Sequence, residues 1–289
     1  MALRGSFLLG LVLCASSLRA QRTETGQLRR DGLDRTFTVR IPRGADSARA
    51  IPLVIVLHGR GGSGPGVMQH AGFSAHADRI GYLLVAPDGT GSPRAWETGF
   101  VTGTGIDDVG FIGALIDTAI ARYPVDRARI YVAGYSNGGA LTHRVASDLS
   151  PRVAAAAVVA GIIGGRLANG SLVRIEPPRA PVPLLIVHGD ADDVVPYDTT
   201  SLPSHRGRPL PARDAALFWA RANECGTLTP RRDSLAAGRV LRETWDARCR
   251  APVVFLTLRG GDHSWPRTDR GSAIDATNEI WEFFAQYSR

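Results

Sequence analysis

The chain has 289 residues with 34 lysine-plus-arginine side chains, and every one of the 34 is an arginine. The absence of lysine excludes Schiff-base chemistry, Ser-Lys pairs and a P-loop lysine, since each of these needs an amine. Hydrophobic residues make up 44% of the sequence and charged residues 21%, as in a globular domain. The net charge is +7, but the arginines are spread along the chain without a nucleic-acid-binding motif, so we predict no nucleic-acid partner.

Residues 1–20 have the pattern of a secretory signal peptide. Arg4 precedes nine apolar residues, 7–15, and small residues follow up to Ala20. The apolar run is shorter than the roughly 20 residues that cross a bilayer. We predict cleavage of this segment, no membrane insertion afterwards, and a secreted or periplasmic protein. The alternatives are a lipoprotein signal at Cys14, which the bulky preceding leucine disfavours, and a buried first helix.

The remaining pattern predicts an α/β domain over residues 21–289. Residues 36–41 alternate after an Asp-Gly turn, which indicates antiparallel strands at the start. Continuous apolar runs, typical of buried parallel strands, follow at 53–57, 82–86, 130–133, 154–160, 184–187 and 253–258. Helical patterns cover 109–122, 138–149, 212–222 and 274–287. We therefore expect a mostly parallel central sheet with helices on both faces.

A candidate nucleophile follows the strand at 130–133. Residues 134–138 (GYSNG) match G-x-S-x-G between a strand and a helix, which is the context that this motif requires. The turn is so tight that small residues must flank the serine, and the hydroxyl then projects above the sheet. We predict Ser136 as the nucleophile. The alternative is a glycine-rich turn whose serine only caps the helix.

A serine hydroxyl needs a base, and seven histidines are available. His263 lies after the strand at 253–258 and before the last helix, where a loop at the carboxyl end of a strand would present it. His58 and His188 each precede a glycine, and we interpret them as packed histidines that shape a turn. The other four lack a supporting context: His70, His76, His143 and His205. We predict His263 as the base.

The acid is expected after a strand between the serine and the histidine. Three aspartates follow the strand at 184–187, namely Asp190, Asp192 and Asp193. The pattern H-G-x-x-D-x-x-V-P selects Asp192, with Asp193 as the alternative. The acid would hold the imidazole tautomer and stabilise the imidazolium ion.

The chain order Ser136, Asp192, His263 is that of the α/β-hydrolases. Such a site needs an oxyanion hole, for which we predict the backbone N–H groups of Asn137 and Arg60. Arg60 lies in the glycine-rich loop 58–64, which also matches the dinucleotide fingerprint G-x-G-x-x-G. That loop runs into Gly-Pro-Gly instead of packing closely on a helix, so we predict no nicotinamide cofactor.

Two cysteines remain once the signal peptide is removed, Cys225 and Cys249. They are 24 residues apart and flank a polar, arginine-rich insertion. Because an exported chain folds in an oxidising compartment, we predict a disulfide between them, with two buried thiols as the alternative. Two cysteines without a histidine at ligand spacing do not indicate a metal site.

Six segments, in order, carry a family resemblance: LHGRGGSG (57–64), AWETG (95–99), DDVGFIGALID (107–117), YVAGYSNGG (131–139), VHGDADDVVPY (187–197) and GGDHSWP (260–266). Together they resemble the secreted polyhydroxybutyrate-depolymerase and feruloyl/acetylxylan-esterase family, in particular its LpqC-like bacterial branch, over residues 27–287. The resemblance implies a single-domain α/β-hydrolase with little or no lid and no metal or organic cofactor. It also implies the triad of Ser136, Asp192 and His263, and the same disulfide.

Three residues depart from the family pattern: Arg60, Glu97 and Asp262, where a small residue, an asparagine and a glycine are usual. Trp96 and Trp265 are predicted to stack on an aromatic or sugar ring, or else to be core aromatics. We expect a monomeric serine esterase that acts on polyhydroxybutyrate-type or plant-cell-wall (feruloyl or acetyl) esters. The alternatives are a serine peptidase of the same fold and a non-catalytic binding protein.

Overall fold

The computed structural model describes residues 21–45, 49–100, 104–198 and 208–289. The predicted signal peptide lies outside these residues. The strands are β1 (Arg22–Arg30), β2 (Leu33–Ile41), β3 (Ile51–Leu57), β4 (Leu83–Pro87), β5 (Val125–Tyr135), β6 (Ala155–Val159), β7 (Gly164–Arg166), β8 (Leu172–Arg174), β9 (Leu184–Gly189), β10 (Arg208–Pro209), β11 (Arg231–Leu235), β12 (Val240–Trp245) and β13 (Val253–Leu258). The helices are α1 (Gly64–His70), α2 (Phe73–Ile80), α3 (Asp108–Arg122), α4 (Asn137–Asp148), α5 (Ala212–Ala222) and α6 (Ala276–Phe284).

A ten-stranded sheet runs in the order β1-β2-β4-β3-β5-β6-β9-β13-β12-β11. Its centre, from β4 to β13, is parallel, and β1 and β2 join it antiparallel at one edge. This arrangement confirms the predicted mostly parallel sheet with antiparallel N-terminal strands. In a parallel array all carboxyl ends lie at one edge of the sheet, so the loops that follow β5, β9 and β13 emerge on the same side.

Both faces of the sheet are buried, because alternate side chains of each strand point to opposite faces. Leu53 and Ile55 pack with α3, α4 and α5 on one face, whereas Val54 and Val56 pack with α1, α2 and α6 on the other. These side chains are at most 1% exposed. Helices therefore cover both faces, and the predicted α/β-hydrolase fold is confirmed.

The far edge of the sheet differs from the prediction. The segment between the two cysteines, interpreted as a polar insertion, forms the antiparallel strands β11 and β12 beside β13. An edge strand mixes exposed and buried residues, so it lacks the continuous apolar run that marks a central strand. Cys225 and Cys249 form the predicted disulfide, which joins the end of α5 to the loop before β13.

A small second sheet, in the order β10-β7-β8, is formed by residues 164–166, 172–174 and 208–209, where the sequence pattern predicted no strand. Strands of two or three residues are too short to show a period in the sequence. No helix among the described residues is long and apolar enough to cross a bilayer.

Candidate active site

The turn between β5 and α4 holds Ser136 in an unusual backbone conformation, with φ 55° and ψ −120°. A positive φ is costly for a residue with a side chain, and such strain is common at functional sites. The motif needs glycine at positions 134 and 138, because neighbouring backbone atoms lie too close to leave room for a Cβ atom. A Cβ on Gly134 would collide with the carbonyl oxygen of Gly138, and one on Gly138 would collide with the carbonyl oxygens of Leu57 and His58. The motif thus specifies a turn that aims the serine hydroxyl away from the sheet.

The structure brings the three predicted residues together. The Nε2 atom of His263 lies 2.9 Å from the Oγ atom of Ser136, and its Nδ1 atom lies 2.7 Å from the Oδ2 atom of Asp192. Both distances are within hydrogen-bond range. The side chains come from the ends of β5, β9 and β13, three strands that run parallel within one sheet. This row of contacts can transfer a proton from a hydroxyl to an imidazole held by a carboxylate.

Asp192 is buried, and its other oxygen is also satisfied. Oδ1 accepts hydrogen bonds from the backbone N–H groups of Val194 (3.0 Å) and Val195 (2.8 Å). Burial alone would raise the pKa of this carboxyl, but hydrogen bonds from His188, His263 and Val195 outweigh it and hold the pKa well below its usual range. Asp192 is therefore ionised at neutral pH. The alternative acid, Asp193, is exposed and lies outside this network.

The sequence pattern did not predict that His188 contacts Asp192. Its side chain is fully buried, its Nε2 atom lies 2.8 Å from the carbonyl oxygen of Val195, and the same nitrogen lies 3.4 Å from the Oδ2 atom of Asp192. Because a carbonyl oxygen only accepts, Nε2 carries the proton and donates it. His188 is a packed histidine, as predicted, but it also faces the carboxylate of Asp192. The four-residue spacing in H-G-x-x-D was the available signal.

The loop that follows β3 lies against Ser136. A Cβ on Gly59 would be 3.3 Å from the Cβ atom of Ser136, so only a glycine allows this approach without a shift. The loop is anchored by the N–H of Gly61, which donates to the carbonyl oxygen of Arg94 (2.7 Å). The Arg60 side chain is exposed. Asn137 begins α4, and helix N-termini leave backbone N–H groups without an intrahelical acceptor.

The side chain of His58 contacts the same loop. It is buried, its Nε2 atom accepts a hydrogen bond from the N–H of Gly89 (2.9 Å), and its Nδ1 atom lies 2.7 Å from the carbonyl oxygen of Gly59. Burial lowers the pKa of His58, which favours the neutral ring that this pairing needs. His58 is thus the packed histidine that the His-Gly turn predicted.

The two tryptophans lie in the core. Trp96 is 0% exposed and Trp265 is 2% exposed. The indole N–H of Trp96 donates to the carbonyl oxygen of His58 (2.8 Å), and that of Trp265 donates to the Oγ1 atom of Thr277 (3.1 Å). Rings that are buried in this way have no free face for a substrate, so the structure favours the second interpretation, core aromatics.

The side chain of Asn137 connects the nucleophile turn to the loop that follows β4. Its Oδ1 atom accepts from the N–H of Trp96 (2.7 Å), and its Nδ2 atom donates to the carbonyl oxygen of the same residue (3.1 Å). A side-chain amide that pairs with both backbone groups of one residue fixes that residue against the helix start. No sequence signal distinguished this role from the predicted use of the Asn137 backbone.

Glu97 and Asp262 occupy different environments. Glu97 is buried, and its carboxylate accepts from the N–H of Gly99 (2.6 Å) and the hydroxyl of Thr104 (2.9 Å). The Glu97 side chain therefore joins Gly99 and Thr104. Asp262 is exposed, and its carboxylate accepts from the hydroxyl of Ser264 (2.5 Å). Within the described ranges, no group of three or more His, Cys, Asp or Glu side chains is placed to hold a metal ion.

The chain is similar to known proteins in sequence and in fold. Residues 35–176 match the family model described as "Esterase PHB depolymerase". The chain is 30% identical over 233 residues to "Putative esterase NocK" of Nocardia uniformis subsp. tsuyamanensis, covering 74% of this chain and 65% of that protein. It is 27% identical over 259 residues to "Feruloyl esterase B" of Piromyces equi, covering 88% of this chain and 45% of that protein. The chain thus spans less than two thirds of the length of these relatives.

Among solved structures, the fold is similar to that of an acetyl xylan esterase from Aspergillus awamori. The TM-score is 0.65, and the match covers 91% of this chain and 99% of the other. Sequence identity is 16%. A similarity at this level of identity supports the fold.

Proposed function

Because the chain belongs to the family of polyhydroxybutyrate-depolymerase-like and feruloyl esterases, we propose that it hydrolyses carboxylic esters with Ser136 as the nucleophile. The observation that carries the proposal is the row of hydrogen bonds from Ser136 through His263 to Asp192, at 2.9 Å and 2.7 Å. The positive φ of Ser136 supports it, since the strained turn presents the hydroxyl to the space above the sheet.

The first half of the reaction acylates the enzyme. The Oγ atom of Ser136 attacks the ester carbonyl carbon while the Nε2 atom of His263 takes the hydroxyl proton. The ionised carboxylate of Asp192 holds the Nδ1–H tautomer and stabilises the imidazolium ion. As the tetrahedral intermediate collapses, His263 returns the proton to the leaving alcohol, and the acyl group stays on the serine.

The second half of the reaction releases the acid. A water molecule gives a proton to the Nε2 atom of His263 and attacks the acyl carbon, and the serine leaves with that proton. In both halves the negative oxygen would be stabilised by the backbone N–H groups of Asn137 and Arg60. The close approach of Gly59 to Ser136 supports this assignment, because Arg60 follows Gly59 directly in the chain.

The family and the relatives' names define the substrates to try, which are hydroxybutyrate, feruloyl and acetyl esters. The secretion that we propose is supported by the disulfide, because such bonds persist in oxidising compartments. The monomeric state and the single catalytic domain over 21–289 are part of the same proposal.

A fluorophosphonate probe tests the nucleophile. We expect covalent labelling of the native chain, none of Ser136→Ala, and full labelling of Ser234→Ala, whose serine is exposed on the edge strand β11. Hydrolysis of short p-nitrophenyl esters should follow the same pattern. Labelling that persists in Ser136→Ala would refute the proposed nucleophile.

Two other functions would give distinct results in the same experiment. A serine peptidase would cleave peptide anilides as well as p-nitrophenyl esters, whereas an esterase would leave the anilides intact. A non-catalytic binding protein would show neither labelling nor turnover in the native chain. A panel of methyl ferulate, acetylated xylan and hydroxybutyrate oligomers then ranks the ester classes.

A further inference from the structure

A groove of about 260 Å³ opens between the segments that follow β6 and β9 and the small second sheet. Most of its lining is apolar: Phe100, Ile162, Leu167, Val194, Val195 and Pro196. Val194 is 62% exposed and Leu167 is 44% exposed, so large aliphatic groups face solvent here. Exposed apolar side chains grouped in a concavity are typical of a binding site for an apolar group.

Two walls of the groove are continuous with the triad. Val194 and Val195 supply the N–H groups that hold Asp192, and both residues also line the groove. This wall of the groove therefore comes directly after Asp192 in the chain. Ile162 follows Gly161, which packs on the first turn of α4; a Cβ on Gly161 would be 2.7 Å from the carbonyl carbon of Gly139. A substrate whose carbonyl group reached Ser136 could therefore extend one end into this groove.

The groove ends at two arginines. Arg166 on β7 and Arg208 on β10 are directly opposite each other in the antiparallel pair, and both line the groove. Neither is within ion-pair distance of an acidic side chain of the described residues, and the guanidinium group of Arg166 donates to the carbonyl oxygen of Gly170 (3.3 Å). The exposed carboxylate of Asp193, next to Val194, forms no ion pair with Arg166 or Arg208.

This arrangement is electrostatically unfavourable without an anion. Like charges directly opposite each other on paired strands are destabilising, and no other charge in the groove lining offsets them. An anion between the two guanidinium groups would remove the repulsion. The guanidinium fork matches a carboxylate in shape, and charge-assisted hydrogen bonds are stronger than neutral ones.

We propose that this groove, lined by apolar side chains and closed by Arg166 and Arg208, is a subsite for esters whose acyl group ends in a carboxylate. The apolar lining takes the hydrocarbon part of the acyl group, the two arginines take the terminal carboxylate, and the ester carbonyl lies at Ser136. The inference rests on the proposed function and names its substrate class. Monoesters of aliphatic dicarboxylic acids have this chemistry.

Matched substrates test the proposal. We expect the native chain to release nitrophenol from 4-nitrophenyl hydrogen adipate with about tenfold higher kcat/KM than from its neutral methyl ester, since two exposed charge pairs together contribute about this much. The preference should decrease as salt is added. The double variant Arg166→Gln/Arg208→Gln should lose the preference, so that its kcat/KM is the same for the two esters.

Arg127→Gln is the matched control, because this exposed arginine lies near the amino end of β5, at the opposite edge from Ser136. It should keep the full preference. Equal kcat/KM for the two esters in the native chain, or a preference that survives in the double variant, would overturn the proposal.

Binding without turnover separates this proposal from the proposed function. Calorimetry on Ser136→Ala should show the monoamide of adipic acid, which keeps one carboxylate, binding about tenfold more tightly than the neutral diamide, a difference that Arg166→Gln/Arg208→Gln in the same background removes. If Ser136→Ala still hydrolyses esters, the proposed nucleophile fails while the binding result still decides the subsite. If Ser136→Ala is inactive and the monoamide binds no better than the diamide, the subsite alone is wrong.

Discussion

The hydroxyl of Tyr135 donates a hydrogen bond to the backbone carbonyl oxygen of His263, with 2.7 Å between the two oxygens. The two rings also lie close together, with 5.2 Å between their centroids. Burial raises the pKa of Tyr135 to about 12, so the hydroxyl remains a donor at neutral pH. Tyr135, which precedes the proposed nucleophile, thus holds the loop that carries the proposed base, and we expect it to position the proposed triad.

Replacing this hydroxyl should slow the reaction without weakening substrate binding. In Tyr135→Phe we expect kcat to fall about fivefold and KM to change little, because one neutral hydrogen bond contributes about 1 kcal/mol. Tyr131→Phe is the matched control: it lies on the same strand and its hydroxyl donates to the carbonyl oxygen of Tyr287 at 2.7 Å. Steady-state kinetics of both variants, with thermal melts, give the comparison. Equal losses of kcat in the two would show a structural effect only.

The choice between the two neighbouring acids is also testable. Asp192→Asn should lower kcat by roughly 10³ to 10⁴ at neutral pH, because an amide no longer stabilises the imidazolium ion or selects the Nδ1–H tautomer. Asp193→Asn should stay within about twofold of the native kcat, since this side chain is exposed and outside the network. Circular dichroism should confirm that both variants are folded. A larger loss in Asp193→Asn would make Asp193 the acid.

A buried histidine makes stability depend on pH. Burial lowers the pKa of His143 to about 3, and its Nδ1 atom accepts a hydrogen bond from the indole N–H of Trp219 (3.0 Å). Its unfolded pKa is about 6.5, so between pH 6.5 and 3 the unfolded chain binds a proton that the native chain does not. Stability from this group therefore falls as pH decreases through that window, by up to about 1.4 kcal/mol per pH unit.

His143→Gln should flatten this dependence. Urea unfolding at pH 7, 6, 5 and 4 measures the slope for the native chain and the variant. His70→Gln, at an exposed histidine beside Arg270, should change the slope less. If both variants retain the native slope, proton uptake by His143 does not limit acid stability.

The disulfide should contribute stability but not catalysis. It joins residues that are 24 apart, and closing a loop of this length stabilises by about 3 kcal/mol in the chain-entropy description. The variant Cys225→Ser/Cys249→Ser should therefore melt roughly 5 to 10 °C lower. Its kcat at 25 °C should be unchanged, because Cys249 precedes β13 whereas His263 follows the opposite end of that strand. An unchanged melting temperature would contradict this account.

The sequence by itself determined the central strands and the three members of the candidate triad. Buried parallel strands are continuous apolar runs, and the residues that follow such runs must meet at one edge of the sheet. That is why Ser136, Asp192 and His263 could be selected before any distance was known. The paired cysteines were likewise visible, because only two remain after the predicted signal peptide.

Only the tertiary structure decided which surroundings each side chain has. Trp96 and Trp265 could not be distinguished from substrate-stacking rings by pattern, because burial depends on segments far apart in the sequence. The same holds for His188, which meets Asp192 through a turn, and for Arg166 and Arg208, which become neighbours only when β7 pairs with β10. Local patterns encode the direction and type of an element, whereas contacts between elements depend on packing that no single segment contains.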